Sequence, residues 1–310
     1  MFKRRFRNDK DTRLWDRQAA NPLARHHLAP SRHSVIFIKC APLPYTMDYG
    51  TLVSDSIGYT KAALAGNWVT WLIFILCSLP IALCKFVVDP KTIFTGTTIH
   101  WELIPWPQLI ALCLAGLLLS FIVSGYIVRV YRGITPPPRF DAWCSLYLDG
   151  IKVAIVGFLW FVPALVIFVV ALAFMFFGGH GSASIGPMMG AGFILILIGL
   201  IVLVITCLYA VLGSVRFART GSMREGLRFS AITGTIQVIG WGAYILALVI
   251  MIVLVVLFSL IISLFALIPY AGWVIQLVLT PIISVFSARY ISRVYDHSVP
   301  QAPVPAPVTA

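Results

Sequence analysis

Four long runs of the chain contain no Asp, Glu, Lys or Arg. They cover residues 62–84, 103–128, 153–215 and 229–288, and are 23, 26, 63 and 60 residues long. A helix needs about 20 residues to cross a bilayer. Each of the first two runs therefore predicts one membrane-spanning helix, and each of the last two predicts two helices joined by a turn. The pattern predicts six spans in total.

Glycine and proline mark where the two longest runs turn. Four glycines and a proline lie at 178–187, and Ile268-Pro269-Tyr270-Ala271-Gly272 interrupts the last run. The fifth span begins earlier than a bilayer requires, so about ten residues from Phe229 are expected to lie along the interface. The predicted fold is all-α, a polytopic membrane bundle of three helical hairpins with short interfacial segments. The predicted spans are 66–88, 107–131, 152–177, 190–215, 238–266 and 272–294.

Composition agrees with a membrane protein. Of the 310 residues, 60% are apolar and only 11% are charged, with a mean hydropathy of +0.94. A soluble domain carries about 25% charged residues. These values exclude a soluble enzyme and a disordered chain. They also exclude a nucleic-acid-binding domain despite the net charge of +12, because the basic residues lie between apolar runs.

Basic residues are unevenly divided between the two ends of the predicted bundle. Eleven lie on the side that holds both termini, and only Lys85 and Lys91 lie on the other. Because cytoplasmic loops are enriched in Lys and Arg, both termini are predicted to be cytoplasmic in the cell membrane, facing anionic headgroups. The eleven are Lys61, Arg129, Arg132, Arg139, Lys152, Arg216, Arg219, Arg224, Arg228, Arg289 and Arg293.

Both ends of the chain differ in composition from the predicted membrane domain, 47–298. Residues 1–46 hold ten Lys or Arg and three Asp, with four prolines and no helical apolar period, so they predict a disordered basic arm. The competing interpretation is that Met47 is the true start and residues 1–46 are an upstream over-reading of the gene. Residues 299–310, rich in Pro and Ala, predict a disordered tail.

Two short motifs recur along the chain. Tyr126-Ile127-Val128-Arg129-Val130-Tyr131 ends the second span, and Tyr290-Ile291-Ser292-Arg293-Val294-Tyr295 ends the sixth, with five of six positions identical. A looser version at 215–219 ends the fourth span. Before the third and fifth spans stand Asp149-Gly150-Ile151-Lys152 and Glu225-Gly226-Leu227-Arg228, and Asp55 to Lys61 is a weaker copy. These matches predict three parallel copies of one hairpin unit around an axis normal to the membrane.

The charged positions of these motifs are interpreted as structural. An acid in the first turn of a helix meets the positive end of its dipole, and a base three residues later can pair with it. Arginines at the span ends are expected to snorkel to the interface. The interfacial positions are Arg129, Arg132, Asp149, Gly150, Lys152, Arg216, Arg219, Glu225, Gly226, Arg228 and Arg293.

Several of these residues also carry a family resemblance. Met47-Asp48-Tyr49-Gly50, the stretch from Gly125 to Arg132, Pro138-Arg139-Phe140-Asp141-Ala142-Trp143 and Leu148 to Lys152 resemble an uncharacterised family of six-span membrane proteins common in archaea, domain of unknown function 4013. The resemblance covers about 47–298 and is consistent with a start at Met47. It implies the six-span architecture and supplies no site residues.

Chemical motifs are scarce. Six cysteines show no zinc or redox spacing, and no catalytic, cofactor-binding or metal-binding motif is present. Lys85, in the last turn of the first span, is expected to snorkel outward. Polar residues inside the spans mark functional candidates, because burying them in lipid is costly. They are Gln276, Thr206, Thr280, Ser259, Ser263 and Ser284.

Three functions remain. A structural or partner-binding protein, acting as a subunit of a larger assembly or as a homo-oligomer, needs no buried polar site and is favoured; such a protein is not an enzyme. A permease for an apolar or amphipathic solute is the alternative, and a polar cavity around Gln276 and Thr280 would favour it. A membrane enzyme is the least favoured, since its candidates are interfacial charges that are ordinarily solvated: Asp141, Asp149, Glu225 and His297.

Overall fold

A computed structural model describes residues 47–87, 94–95, 98–177, 185–268 and 271–298. The predicted basic arm, the predicted tail and most of the predicted turn at 178–187 lie outside these residues. Within the described residues the protein is helical apart from a two-stranded antiparallel ribbon, β1 (Phe94–Thr95) with β2 (Thr98–Ile99).

Six helices are long and apolar enough to cross a membrane, which confirms the predicted fold class. Three short helices accompany them: α1 (Tyr49–Leu64), α6 (Met223–Gly226) and α7 (Phe229–Ile239). Single turns of 3-10 helix lie at Trp101–Leu103 and Phe265–Leu267. The six long helices are α2 (Trp68–Val87), α3 (Trp106–Tyr131), α4 (Trp143–Phe177), α5 (Ile185–Thr220), α8 (Trp241–Leu264) and α9 (Gly272–Asp296).

Two of the long helices exceed their predicted spans. Helix α4 begins at Trp143, nine residues before the predicted start, and α5 runs five residues beyond the predicted ends on both sides. A helix continues wherever its backbone hydrogen bonds can form, and charged side chains do not stop it when they find partners. The ends of the charge-free runs therefore underestimate these helices.

The stretch that precedes the fifth span is a separate helix, as the early start of that run predicted. Helix α7 ends at Ile239, and α8 starts at Trp241. Gly240 between them has a φ of +92°, which lies in the region that favours glycine. Ile232 and Ile236 of α7 are fully buried in a cluster with Leu212 of α5. Helix α7 therefore packs along the last turns of α5.

The helices that lead back in each hairpin, α3, α5 and α9, contact one another in all three pairs. Their C-terminal ends meet where Ser292 donates a hydrogen bond to the carbonyl oxygen of Tyr131 at 3.2 Å and accepts one from Arg219 at 3.0 Å. We call this end of the bundle, which carries Arg129, Arg216 and Arg293, the arginine end. Lys85 and Trp273 lie at the opposite end.

Each of these return helices also packs against the start of another hairpin. The first residues of α4 contact α3, α6 and α7 contact α5, and α1 contacts α9. We call α1, the first turns of α4, and α6 with α7 the lead-in segments of the three hairpins. Each return helix thus contacts the lead-in segment of the next hairpin, and the last return helix, α9, contacts α1. The core of the protein consequently lies around α3, α5 and α9.

Candidate functional site

Ion pairs connect each lead-in segment to the return helix beside it. Asp149 pairs with Arg132 at 2.6 Å, Glu225 pairs with Arg216 at 2.7 Å, and Asp55 pairs with Arg293. The pairs join residues from 9 to 238 positions apart. The arginine end therefore connects all three hairpins through a salt bridge of the same kind.

A small residue follows each of the three acids at a place of close helix approach. An added Cβ at Gly150 would lie 1.8 Å from the carbonyl oxygen of Phe121, and one at Gly226 would lie 2.8 Å from Cβ of Phe217. Ser56, which follows Asp55, is fully buried. The glycines of the two tetrads thus have a packing role, because a larger side chain would separate the helices.

The predicted position of Asp149 at a helix start is wrong. Helix α4 begins six residues earlier and has no acid in its first turn. Lys152 is exposed and makes no ion pair with any residue the structure describes, because the carboxylate of Asp149 is bound by Arg132 instead. Glu225 does lie in the first turn of α6 and pairs with Arg228 three residues later at 3.2 Å, as predicted.

The prediction that Arg129 snorkels to the interface is also wrong. The residue is 8% exposed, and its guanidinium binds the carboxylate and carbonyl of Asp141 and the carbonyl of Arg139. Arg129 thereby holds the connection between α3 and α4. Arg219 likewise binds Asp296 at 2.5 Å. Arg129 thus joins α3 to the connection that follows it, and Arg219 joins α5 to α9.

Charge pairing alters the protonation of Glu225. The hydrogen bonds from Arg216 lower the pKa of this carboxyl below its usual value, and Arg228 adds to the effect. Asp141, Asp149 and Glu225, which the least favoured hypothesis considered as catalytic groups, are each bound by an arginine. No cluster of three His, Cys, Asp or Glu side chains able to hold a metal occurs in the described part of the chain.

A second region, nearer the opposite end, has a different character. A cavity of about 530 Å³ lies between α2, α3 and α9, and we call it the cleft. Its polar lining includes Gln276 and Thr280. A polar cavity around these two residues is the feature that would favour a permease. Besides the indole of Trp273 and the thiol of Cys77, the other polar side chains in its walls are Ser78, Lys85, Ser120 and Ser124.

The polar groups of the cleft are only partly used by the protein. The hydroxyls of Ser78, Ser120 and Thr280 each donate to a carbonyl of their own helix, at 2.9, 2.7 and 2.7 Å. Their oxygens can still accept a hydrogen bond. The side chains of Gln276 and Ser124 make no hydrogen bond to any described residue. The cleft therefore offers both donors and acceptors to a bound molecule.

Lys85 lies at the mouth of the cleft. Its amine is 5.2 Å from the ring centroid of Phe86 and 5.5 Å from that of Trp273, within the range of cation–π interactions. Lys85 is exposed. The prediction that it snorkels outward agrees with this exposure, but the role of Lys85 in a cleft was not apparent from the sequence.

Aromatic side chains follow the cleft residues on the side of the arginine end. Phe74 lies one turn along α2 from Ser78, and Tyr126 lies two residues beyond Ser124 on α3. Both are buried, with ring centroids 5.2 Å apart, and Phe140 stacks on Tyr126 at 4.8 Å. We call these three rings the aromatic floor.

Arg289 lies beyond the aromatic floor and was not singled out by the sequence. Its guanidinium covers the ring of Tyr59 at 4.3 Å, and Tyr59 belongs to the same buried cluster as Phe74 and Tyr126. The residue is 5% exposed, and its Nε and Nη1 atoms have no hydrogen-bond partner among the described residues. Burial also raises the pKa of Tyr59 to about 12, so its hydroxyl stays neutral.

These features define the class of the protein: a polytopic helical membrane protein with six long apolar helices and a polar cleft among three of them. Residues 108–267, 160 of the 310, match the model of a family described as protein of unknown function, DUF4013, and the chain belongs to this family. The match confirms the family resemblance. The archaeal source that the resemblance implies stays a prediction.

Comparison with curated proteins and with solved structures identifies no relative. Neither a curated protein nor a solved structure matches the chain. The residues that carry the function are therefore inferred from the geometry of this chain.

Proposed function

We propose that the protein is a permease for an amphipathic solute that carries an anionic group, and that the cleft is its binding site. The observation that carries the proposal is the cleft itself, in which Gln276 and Ser124 face a cavity without partners among the described residues. Polar groups are rarely left unpaired in the membrane region unless they bind something. Its volume of about 530 Å³ falls in the usual range of small-molecule sites.

The lining favours an amphipathic molecule. Apolar side chains such as Ile81, Val123 and Leu277 make up much of the wall, and the polar groups lie among them. Lys85 at the mouth adds a positive charge with no ion pair to the described residues. A molecule with an apolar body and an anionic group would satisfy both parts, because the body avoids water while the charge pairs with the amine.

Passage through the protein requires the aromatic floor to move. Phe74 and Tyr126 lie on the arginine-end side of the cleft residues of α2 and α3, and they belong to the same buried cluster as Tyr59, on which Arg289 stacks. The two cations, Lys85 before the floor and Arg289 beyond it, would bind the anionic group in turn. Alternating access of this kind needs two conformations that differ in the packing of these rings.

Binding can be tested with a dansyl-labelled fatty acid and its uncharged methyl ester. The full chain is placed in nanodiscs of phosphatidylcholine, and Kd is measured from dansyl fluorescence. Lys85→Gln should raise the Kd of the acid about 5-fold, since one charge near the membrane surface is worth about 1 kcal/mol, and should leave that of the ester unchanged. Gln276→Leu should raise the Kd of both.

The matched control is Lys152→Gln, which removes an exposed lysine that does not line the cleft. A flux assay in vesicles loaded with the same acid then measures transport, and wild-type protein should release it faster than Lys85→Gln. Absence of saturable binding, or equal effects of the two lysine substitutions, would contradict the proposal.

A structural or partner-binding role is the second candidate, and one observation favours it. The acids of the arginine end are satisfied by arginines of the same chain, as expected for a rigid scaffold. Copurification of the tagged chain in mild detergent, with identification of bound proteins and measurement of the oligomeric mass, tests this role. A pure monomer that still binds the dansyl acid would exclude it.

We also propose that both termini are cytoplasmic, on the strength of the eleven-to-two distribution of basic residues. Reporter fusions at Gly179 and Ala310 test the orientation. The first should report outside and the second inside. The reverse pattern would overturn the topology.

A third proposal is that the three hairpins are copies of one unit. Its support is the recurrence of an acid followed by a small residue, bound each time by an arginine at the end of a return helix: Asp55 with Arg293, Asp149 with Arg132, and Glu225 with Arg216. The middle pair differs in position, because Arg132 lies one residue past α3 and the residue that aligns with Arg293, Arg129, binds Asp141. If the units are equivalent, alanine at each of the three acids should reduce thermal stability by a similar amount. A loss confined to one acid would contradict equivalence.

A further inference from the structure

A groove separate from the cleft shares no lining residue with it. It has a volume of about 240 Å³ and is bordered by α1, α2, α8 and α9. Its walls are almost wholly apolar, with Leu64, Trp71, Phe258, Ile282 and Phe286 among the lining residues. We call it the inner groove.

Besides the indole of Trp71, only two of the residues that line the inner groove carry a polar side-chain group. The hydroxyl of Thr60 donates to the carbonyl of Ser56 at 2.7 Å, so its proton is used within α1. Lys61 is exposed and makes no ion pair with a described residue. The nearest acid along α1, Asp55, is already paired with Arg293. The amine of Lys61 is therefore a cation that the described residues leave unneutralised.

The charge lies in the part of the inner groove nearer the arginine end. Helix α1 runs antiparallel to α9, because Asp55 meets Arg293 and Tyr59 meets Arg289. Lys61 follows within a turn of Tyr59, near the arginine end. The indole of Trp71 donates to the carbonyl of Val278 at 2.7 Å, much closer to the start of α9. The groove thus has its cation in the part nearer the arginine end and apolar walls towards the start of α9.

We propose that the inner groove binds an acyl chain of an anionic phospholipid whose headgroup pairs with Lys61. The polarity of the groove matches that of the lipid: one negative charge at the interface and a hydrocarbon chain directed inward. A water-soluble anion would leave the apolar walls empty. A zwitterionic lipid would fill the walls and leave the amine without a net countercharge. This site is additional to the solute site of the proposed permease.

Native mass spectrometry of the full chain can test the proposal. The protein is titrated with phosphatidylglycerol or with phosphatidylcholine of the same acyl chains. Wild-type protein should prefer phosphatidylglycerol, and Lys61→Gln should weaken that binding about 5-fold without affecting phosphatidylcholine. Lys152→Gln, at an exposed lysine outside the groove, should change neither.

A second substitution tests the apolar part of the site. Ile283→Trp should fill the inner groove and weaken both lipids, and Val255→Phe does the same from α8 if the first variant does not fold. An excess of glycerol phosphate should not displace the lipid. The proposal is overturned if the preference survives Lys61→Gln, if both groove-filling changes leave lipid binding intact, or if glycerol phosphate competes.

The outcome is independent of the proposed function. Lys61 and Ile283 do not line the cleft, so their substitution should leave the Kd of the dansyl acid unchanged. A failed lipid titration with normal dansyl binding would refute the inner groove alone. Loss of dansyl binding in Lys85→Gln with normal lipid preference would support the permease and leave the lipid site standing.

Discussion

The arginine end and the cleft differ in whether their polar side chains have partners within the protein. At the arginine end, Asp55, Asp149 and Glu225 are each bound by an arginine from another helix. In the cleft, the side chains of Gln276 and Ser124 find no partner among the described residues. Both regions lie between helices of the same bundle, yet these acids are paired within the protein and these two cleft side chains are not.

This difference indicates that the arginine end contributes to stability and the cleft to binding. A satisfied ion pair at a helix contact stabilises one arrangement of the helices, and removal of one partner leaves the other uncompensated. An unsatisfied group beside a cavity contributes nothing to the fold and can bind a solute. Substitutions at the arginine end should therefore alter unfolding, whereas substitutions in the cleft should alter binding.

The largest expected effect on stability concerns Gly150, which allows α3 and α4 to approach each other closely at the arginine end. In Gly150→Ala the new methyl group would meet the backbone of Phe121 and Gly125, so α3 and α4 must separate. We expect a loss of about 3 kcal/mol in the free energy of unfolding, visible as a large drop in the thermal midpoint in detergent.

The control lies in the same helix. A Cβ added at Gly157 would meet no neighbouring atom within 4 Å, so Gly157→Ala should be neutral or should stabilise α4 by up to ~1 kcal/mol through helix propensity. Equal midpoints for the two variants would show that the approach of α3 and α4 does not depend on Gly150.

A smaller loss is expected when one ion pair is broken. Asp149→Ala leaves Arg132 without its carboxylate and should cost about 2 kcal/mol. The double variant with Arg132→Ala should cost less than the sum of the two single variants, because the interaction is lost only once. Lys152→Ala, three residues away, should change the midpoint little. Additive single effects would contradict a direct contribution of the pair.

An effect of opposite sign is expected at Arg289, a buried arginine whose Nε and Nη1 atoms are unpaired among the described residues. Arg289→Met keeps much of the volume and removes the buried charge, so the free energy of unfolding should rise by ~1 kcal/mol. Flux of the dansyl acid should fall in the same variant if Arg289 lies on the transport path. A destabilised variant would show that its stacking on Tyr59 outweighs desolvation.

Much of the fold could be predicted from the sequence. The ends of α2, α3 and α9 lie within two residues of their predicted limits, because a charge-free run of about 20 residues is a direct signature of a span. The first turns of α4 were missed, since the run-length criterion stops at Lys152. Gln276 and Thr280 could be chosen because polar residues are rare within spans.

The contacts of the site could not be predicted in the same way. Asp55 and Arg293 are 238 residues apart, and no local pattern indicates that they pair. Arg289 resembles the other basic residues of its side until packing shows that it is buried. Lys85 was correctly placed near a span end, but its position in a cleft depends on α3 and α9. Burial and pairing are tertiary properties.

The smallest expected effect is the pH dependence of the Glu225 pair. Arg216 lowers the pKa of Glu225 in the folded protein, so the pair stabilises the fold above the pKa of the unfolded carboxyl. This stabilisation is lost as the pH falls through the lower folded value, when the carboxylate is protonated. The thermal midpoint of wild-type protein should therefore decrease when the pH is lowered below about 4.5.

In Glu225→Gln the midpoint should already be lower than that of wild-type protein at pH 7, and it should decrease less between pH 7 and pH 4. If both proteins lose the same amount over this interval, the Glu225 pair does not account for the acid sensitivity.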